Sequence, residues 1–312
     1  MEEHFLTGLI AAPFTPMDSN GDINPEVIQD YANWLIKTGV RGAFVCGTTG
    51  ESASLSMEEK KTVIKEWTNC SKEDLKVIAH VGGTCQAECM ELAEYASQNG
   101  ADAVAAMAPY FFKPGNAHEL LHFLKPIAAS APELPFYYYH IPSMTGVDIP
   151  VYTILEQASN IIPTFAGVKY THSDMMDLQQ SIRVSGGRFE LLFGTDEILI
   201  SGLGFGIYSA VGSTYNYMAP VYRTLIKSFN DGDLRKAREQ QQFSVQVVEI
   251  IIRHGGGVRG GKAIMELIGL DCGPCRSPLQ KFSAEEKRDL KKSLSEIGFF
   301  EMIQADVETL RR

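Results

Sequence analysis

Eight short apolar runs, each followed by a stretch whose apolar residues recur at helical spacing, predict an α/β chain closed as a (β/α)8 TIM barrel with a C-terminal helical appendage. The main competing architecture, an open doubly wound sheet, would carry Gly-x-Gly-x-x-Gly after its first strand. Ala11-Ala-Pro-Phe-Thr15 stands there instead. The length agrees, since 312 residues, of which 45% are apolar, suffice for one large core.

The strand-like runs are Gly8 to Pro13, Gly42 to Gly47, Lys76 to Gly82, Ala103 to Pro109, Leu134 to Pro142, Phe165 to Thr171, Phe189 to Gly194 and Gly206 to Gly212. Near-continuous apolar runs such as Ala103-Val-Ala-Ala-Met-Ala108 signify burial on both faces, as a parallel sheet coated by helices requires. After Phe229-Asn-Asp-Gly-Asp233 the alternation stops, and helices are expected over Leu234 to Arg253, Lys262 to Ile268, and Ala284 towards Leu310. The expected division is a barrel over residues 1–230 and a helical region over 231–312 packed on it, since no disordered linker separates them.

Composition narrows the function. A formal charge of −10 and the absence of Lys/Arg clusters interleaved with aromatics argue against nucleic acid. No run approaches the ~18 apolar residues of a membrane span, and the start lacks a basic region followed by a hydrophobic stretch, so a cytoplasmic, membrane-free location is expected. Six cysteines are sparse for this length and fit reduced thiols. Cys272-Gly-Pro-Cys275 lies in a Gly/Pro-rich turn with no second pair to complete a zinc site, which disfavours redox or metal use.

In such a barrel the active site lies at the C-terminal ends of the strands, so the polar residues there are the candidates. Lys169 ends the apolar run Phe165-Ala-Gly-Val168 and must point into the barrel or into its helical coat. Desolvation favours a neutral amine, which is a nucleophile for a carbonyl; the alternative is a strand-end lysine whose ammonium reaches water. Thr48 and Thr49 lie between glycines, where backbone N–H groups and two hydroxyls can hold a carboxylate, although an ordinary turn reads the same way. Tyr139 is a candidate proton shuttle or a packing residue among three consecutive tyrosines. Asp196 and Glu197 open the helix after strand seven, where carboxylates commonly cap, and they are also placed to accept hydrogen bonds from a polyol.

These residues carry a resemblance. Gly47-Thr-Thr-Gly-Glu51, Tyr139-His-Ile-Pro-Ser-Met-Thr-Gly146 and Gly167-Val-Lys169, in this order and spacing, resemble the N-acetylneuraminate lyase and dihydrodipicolinate synthase family of pyruvate-dependent aldolases over essentially the full length. The resemblance implies that Lys169 forms a Schiff base, that Tyr139 acts as acid/base, and that Thr48 and Thr49 hold a pyruvyl carboxylate. It further implies that Thr171, Gly194, Asp196, Glu197 and Ser213 bind a sugar chain. No cofactor and no metal are implied, the partner is a small-molecule substrate, and a homotetramer is usual in the family.

Two departures point within the family. Met144 stands where the synthase branch carries a carboxylate-binding arginine, and Phe111 stands where that branch carries a relay tyrosine. Phe193-Gly-Thr-Asp-Glu197 and Gly212-Ser-Thr-Tyr-Asn-Tyr217 resemble the lyase branch, implying reversible cleavage of N-acetylneuraminate to N-acetylmannosamine and pyruvate. A related 2-keto-3-deoxy acid aldolase, the synthase reaction and a barrel that binds a keto acid without turnover remain as alternatives. Two rival motifs are set aside. His118-Glu-Leu-Leu-His122 matches a zinc-protease pattern but sits in a helix that reads as packing, with no third ligand. Gly256-Gly-Val-Arg-Gly-Gly261-Lys262 fits a phosphate loop until Ala263, and reads better as a permissive helix–helix connection.

Overall fold

A computed structural model of the chain describes residues 6–70 and 74–303. Eight parallel strands close in sequence order: β1 (Gly8–Ala11), β2 (Gly42–Val45), β3 (Lys76–His80), β4 (Ala103–Met107), β5 (Phe136–His140), β6 (Phe165–Tyr170), β7 (Glu190–Phe193) and β8 (Ser209–Gly212). The last pairs with the first, Gly8 opposite Ser209 and Ala11 opposite Gly212, so the sheet has no edge. The predicted barrel is therefore borne out, each strand falling inside its expected run.

Alternation along the strands divides the apolar residues into two cores. Ile10, Phe44, Ile78, Ala103, Ala105, Tyr137, Leu192 and Val211 fill the barrel. Their neighbours, such as Val104 and Ala106, face the helices. Inside, alanines on β4 face the large rings of β2 and β5, the size compensation that a close-packed interior needs.

One strand departs from regular alternation. Between β5 and β6 the register slips by one residue: Phe136 pairs with Phe165 but Tyr137 pairs with Gly167. Phe165 belongs to the outer core with Phe136 and Phe189, whereas Ala166 packs against the inner one. Beyond the slip, Tyr139 stands opposite Lys169.

The coat comprises α1 (Val27–Lys37), α2 (Met57–Cys70), α3 (Gln86–Gln98), α4 (Ala117–Ala129), the short α5 (Pro142–Thr145), α6 (Val151–Ile161), α7 (Met175–Ser181), α8 (Leu199–Gly204) and α9 (Tyr215–Asn230). Side-chain caps mark the start of some of them. On α4, for example, the Asn116 side chain accepts the Glu119 N–H at 3.0 Å, while Leu120, Leu121, Leu124 and Ile127 face the sheet.

Beyond residue 230 the chain forms α10 (Leu234–Arg253), α11 (Gly257–Leu267) and α12 (Ala284–Glu296). Helix α10 matches its prediction, starting at an Asp233 cap. Helix α11 begins five residues before the expected Lys262, so Gly257 to Gly261 are helical rather than a connection. Their glycines serve close approach: a Cβ on Gly260 would lie 2.7 Å from Ile251 and one on Gly261 2.3 Å from Phe14. Helix α12 starts at a Ser283–Glu286 capping box and breaks at Gly298, whose φ is +72°, after which residues 299–303 are helical again, so the expected run is interrupted. Residues 304–312 of that run lie outside the described residues.

The Phe14 ring is buried, so Gly261→Val should cost about 1–3 kcal/mol by overpacking. Gly204→Ala, where nothing lies within 4 Å, should be neutral or slightly stabilising. Urea unfolding of both variants checks the contrast, and equal stabilities would refute this packing.

Candidate active site

The mouth of the barrel is built on the facing ends of β5 and β6. The Lys169 side chain points inward and is only 4% exposed. Its Nζ lies 4.1 Å from the centre of the Phe44 ring and 4.0 Å from that of Tyr139. Burial pushes its pKa down to about 7, partly opposed by the negative charge of Asp196. Much of the population at neutral pH is consequently the free amine.

Burial acts on Tyr139 in the other sense. Its hydroxyl is pushed up to about 12, with Asp196 adding to the rise and hydrogen bonds from Thr48 and Thr171 opposing it. The phenol and the Thr48 Oγ1 are 3.3 Å apart, and either can donate. At neutral pH the pair is thus an amine beside a protonated phenol.

Thr48 and Thr49, both half-buried, form the turn after β2. Cys46 and Glu51 bracket it, each at φ +55°, a left-handed conformation that a non-glycine residue adopts at a cost. The far side is held by a buried ion pair between Glu51 and Lys262 of α11, 2.7 Å apart. Glu51 also accepts the Arg276 backbone N–H at 2.9 Å, and Lys262 donates to the Pro274 carbonyl at 2.9 Å. The Arg276 guanidinium reaches Glu59 and the Gly21 and Ser54 carbonyls. The run from Cys272 to Arg276 is therefore a strap behind the threonine turn. Its two cysteines are buried free thiols, pushed up by burial to about 12 and about 11.

The rim candidates separate into two kinds. Thr171 follows β6, and its hydroxyl lies beside the Tyr139 phenol. Gly194 makes room for it, since a Cβ there would lie 2.0 Å from the Thr171 Oγ1. Asp196 opens a 3₁₀ turn (Asp196–Ile198) ahead of α8 and is largely committed to structure: its Oδ2 accepts the Thr214 N–H at 2.8 Å and the Thr214 hydroxyl. Gln241 of α10 donates to the Asp196 carbonyl at 3.2 Å and accepts the Ile200 N–H, so the appendage also positions this rim. Glu197 is half-buried, and burial together with Asp196 raises its pKa. Ser213, just after β8, is half-buried and exposes its carbonyl to Asn216.

Some functional neighbours are absent from the sequence-based set. His80 is buried against Tyr139 and Phe44, with its Nδ1 2.9 Å from the Cys46 carbonyl and its pKa pushed down to about 3 by burial. Glu51, Lys262, Arg276 and Gln241 are the others. A signal for Lys262 exists: it precedes Ala263-Ile-Met265 on a helical apolar face, where an exposed lysine is out of place. Met144 and Phe111, used to choose within the family, are 62% and 75% exposed. His118 and His122 sit on α4 with rings 4.3 Å apart, and no third metal-binding side chain joins them among the described residues.

Known proteins resemble the chain over nearly its full length. The dihydrodipicolinate synthetase family model matches residues 5–297. N-acetylneuraminate lyase of Mus musculus is 44% identical over 298 residues, covering 94% of this chain and 93% of its own. That of Homo sapiens is 42% identical over 310 residues and 97% of both chains. The solved structure of Proteus mirabilis N-acetylneuraminate lyase superposes with a TM-score of 0.91 at 41% identity, over 94% of this chain and 99% of that one. With the barrel, the inward lysine and its tyrosine neighbour in place, these matches show that the chain belongs to the dihydrodipicolinate synthetase family.

Proposed function

We propose that this protein is a class I aldolase, a carbon–carbon lyase that cleaves N-acetylneuraminate reversibly to N-acetylmannosamine and pyruvate through a Schiff base on Lys169. The observation that carries the reading is the buried Lys169 amine, with a pKa near 7, against the Tyr139 ring. The Lys169 amine adds to C2 of the open-chain keto acid, and loss of water gives a protonated imine. Thr48 and Thr49 hold the carboxylate. Tyr139, neutral at this pH, accepts the C4 hydroxyl proton as it passes its own through the Thr48 hydroxyl to water, and the same relay run in reverse returns a proton to C3. The C3–C4 electron pair flows into the imine, the aldehyde N-acetylmannosamine leaves, and protonation at C3 followed by hydrolysis releases pyruvate. Thr171, Gly194, Asp196, Glu197 and Ser213 would line the sugar-chain side, and the chain's own groups supply every proton, so no cofactor enters.

The choice of the lyase reaction is supported by the relatives named above and by Met144 and Phe111 in place of the synthase branch's arginine and tyrosine. The same reading takes residues 1–230 as the catalytic barrel and 231–312 as a support for its mouth. No helix among the described residues is long and apolar enough to cross a membrane, and the free thiols favour a cytoplasmic setting. A homotetramer is part of the proposal, supported by the exposed aromatics Tyr110, Phe111 and Phe112 on the loop after β4.

Borohydride with pyruvate should leave a reduced adduct on Lys169, found by peptide mass mapping, and Lys169→Ala should lower turnover at least about a thousandfold without unfolding the barrel. The trapping rate should rise with pH through about 7, as Lys169 loses its proton, and then level off. A wild-type protein that binds pyruvate without an adduct would be a binding module instead. On a panel of keto acids, N-acetylneuraminate should give the highest kcat/KM; a preference for another 2-keto-3-deoxy acid, or for the synthase condensation, would reassign the substrate. Sedimentation analysis should give the mass of four chains, lowered by Phe111→Ser with Phe112→Ser, and a wild-type monomer would refute the assembly.

A further inference from the structure

The outward faces of β5 and β6 carry a polar cluster that the aldolase chemistry leaves unused. His140 follows Tyr139, His172 follows Thr171, and Asp148 lies on the loop joining α5 to α6. One donor atom from each falls within 4.8 Å of the other two. The His172 Nε2 is 3.5 Å from the Asp148 Oδ1, and the His140 and His172 rings meet edge to face at 5.5 Å.

His140 is the informative member. It is fully buried, its Nδ1 stands 3.4 Å from the Tyr138 hydroxyl, and its Nε2 has no hydrogen-bond partner among the described residues. A buried imidazole with an unsatisfied nitrogen, beside a second histidine and a carboxylate, is costly unless something occupies the space between them.

We propose that His140, Asp148 and His172 bind one divalent transition-metal ion of the zinc class, with a fourth position open to water. Two imidazoles and a carboxylate match that class of ion, and the 3.5 Å separation is close to the ~3.3 Å between ligands in a tetrahedral site with bonds of about 2.0 Å. Asp148 is exposed and provides the entry path. The ion ties the ends of β5 and β6 to the α5–α6 loop directly behind Tyr139 and Lys169 without touching substrate. Its effect is therefore on stability, and the inference does not depend on the aldolase reading.

Cobalt(II) is the probe. The full-length protein should take up one ion per chain, with the visible bands of a tetrahedral nitrogen/oxygen site and no thiolate charge-transfer band, and its Tm should rise. His172→Gln, at a half-buried position, and Asp148→Asn, at an exposed one, should each weaken cobalt binding by at least about tenfold and abolish the Tm rise, while the metal-free Tm stays as in wild type. Joint substitution His118→Ala with His122→Ala should leave binding intact. The proposal is overturned if wild type shows no saturable uptake, if the His172 and Asp148 variants bind as wild type does, or if the α4 double variant loses the ion instead.

Discussion

A closed eight-stranded barrel has an interior just wide enough for side chains and no room for bulk water, and the chemistry of the mouth follows from that constraint. Lys169 is placed where an ammonium ion loses its hydration and receives in exchange only two ring faces and the field of Asp196. The linkage has a definite sign. With a folded pKa near 7 against 10.5 for a free lysine, the unfolded chain binds a proton that the folded chain releases between those values. The cost to stability is full below about 7 and is gone above the unfolded value. A reactive amine at neutral pH and a locally weakened fold are thus one fact.

The strained threonine turn shows how such weakness is contained. Cys46 and Glu51 hold unfavourable backbone angles, and Glu51 is locked from behind by its pair with Lys262 and by the Arg276 N–H, with the Arg276 fork fixed on Glu59 beside it. A buried ion pair adds little net stability over an apolar one, but losing either partner strands a charge. Its value here is positional: a residue more than two hundred places along the chain fixes where two hydroxyls point.

Much of this was legible in the sequence because it rests on local pattern. The eight runs are apolar on both faces, and their polar ends mark the mouth. Lys169, Tyr139, Thr48 and Thr171 were visible as interruptions of those runs, and the structure brings them together. What escaped depends on contacts between distant segments: Lys262 was read in a glycine-rich connection because glycines that permit close helix packing look like glycines that permit a turn. Asp196 was read as a rim acceptor, and only the folded chain shows its Oδ2 engaged by Thr214.

The direction in which Lys169 points was also beyond local pattern, and the register slip in β6 explains why. Phe165 and Lys169 are four residues apart, so strict alternation would put both on the same face, and Phe165 faces the helices. The slip at Ala166 reverses the parity halfway along the strand. The lower half can thus anchor outward while the upper half presents its lysine inward. Transplanting this reaction to another barrel therefore requires more than copying a lysine and a tyrosine onto adjacent strands: on an unbroken ladder, the reactive residue has to sit an odd number of positions from its outward aromatic anchor, or it will be delivered to the wrong side of the wall.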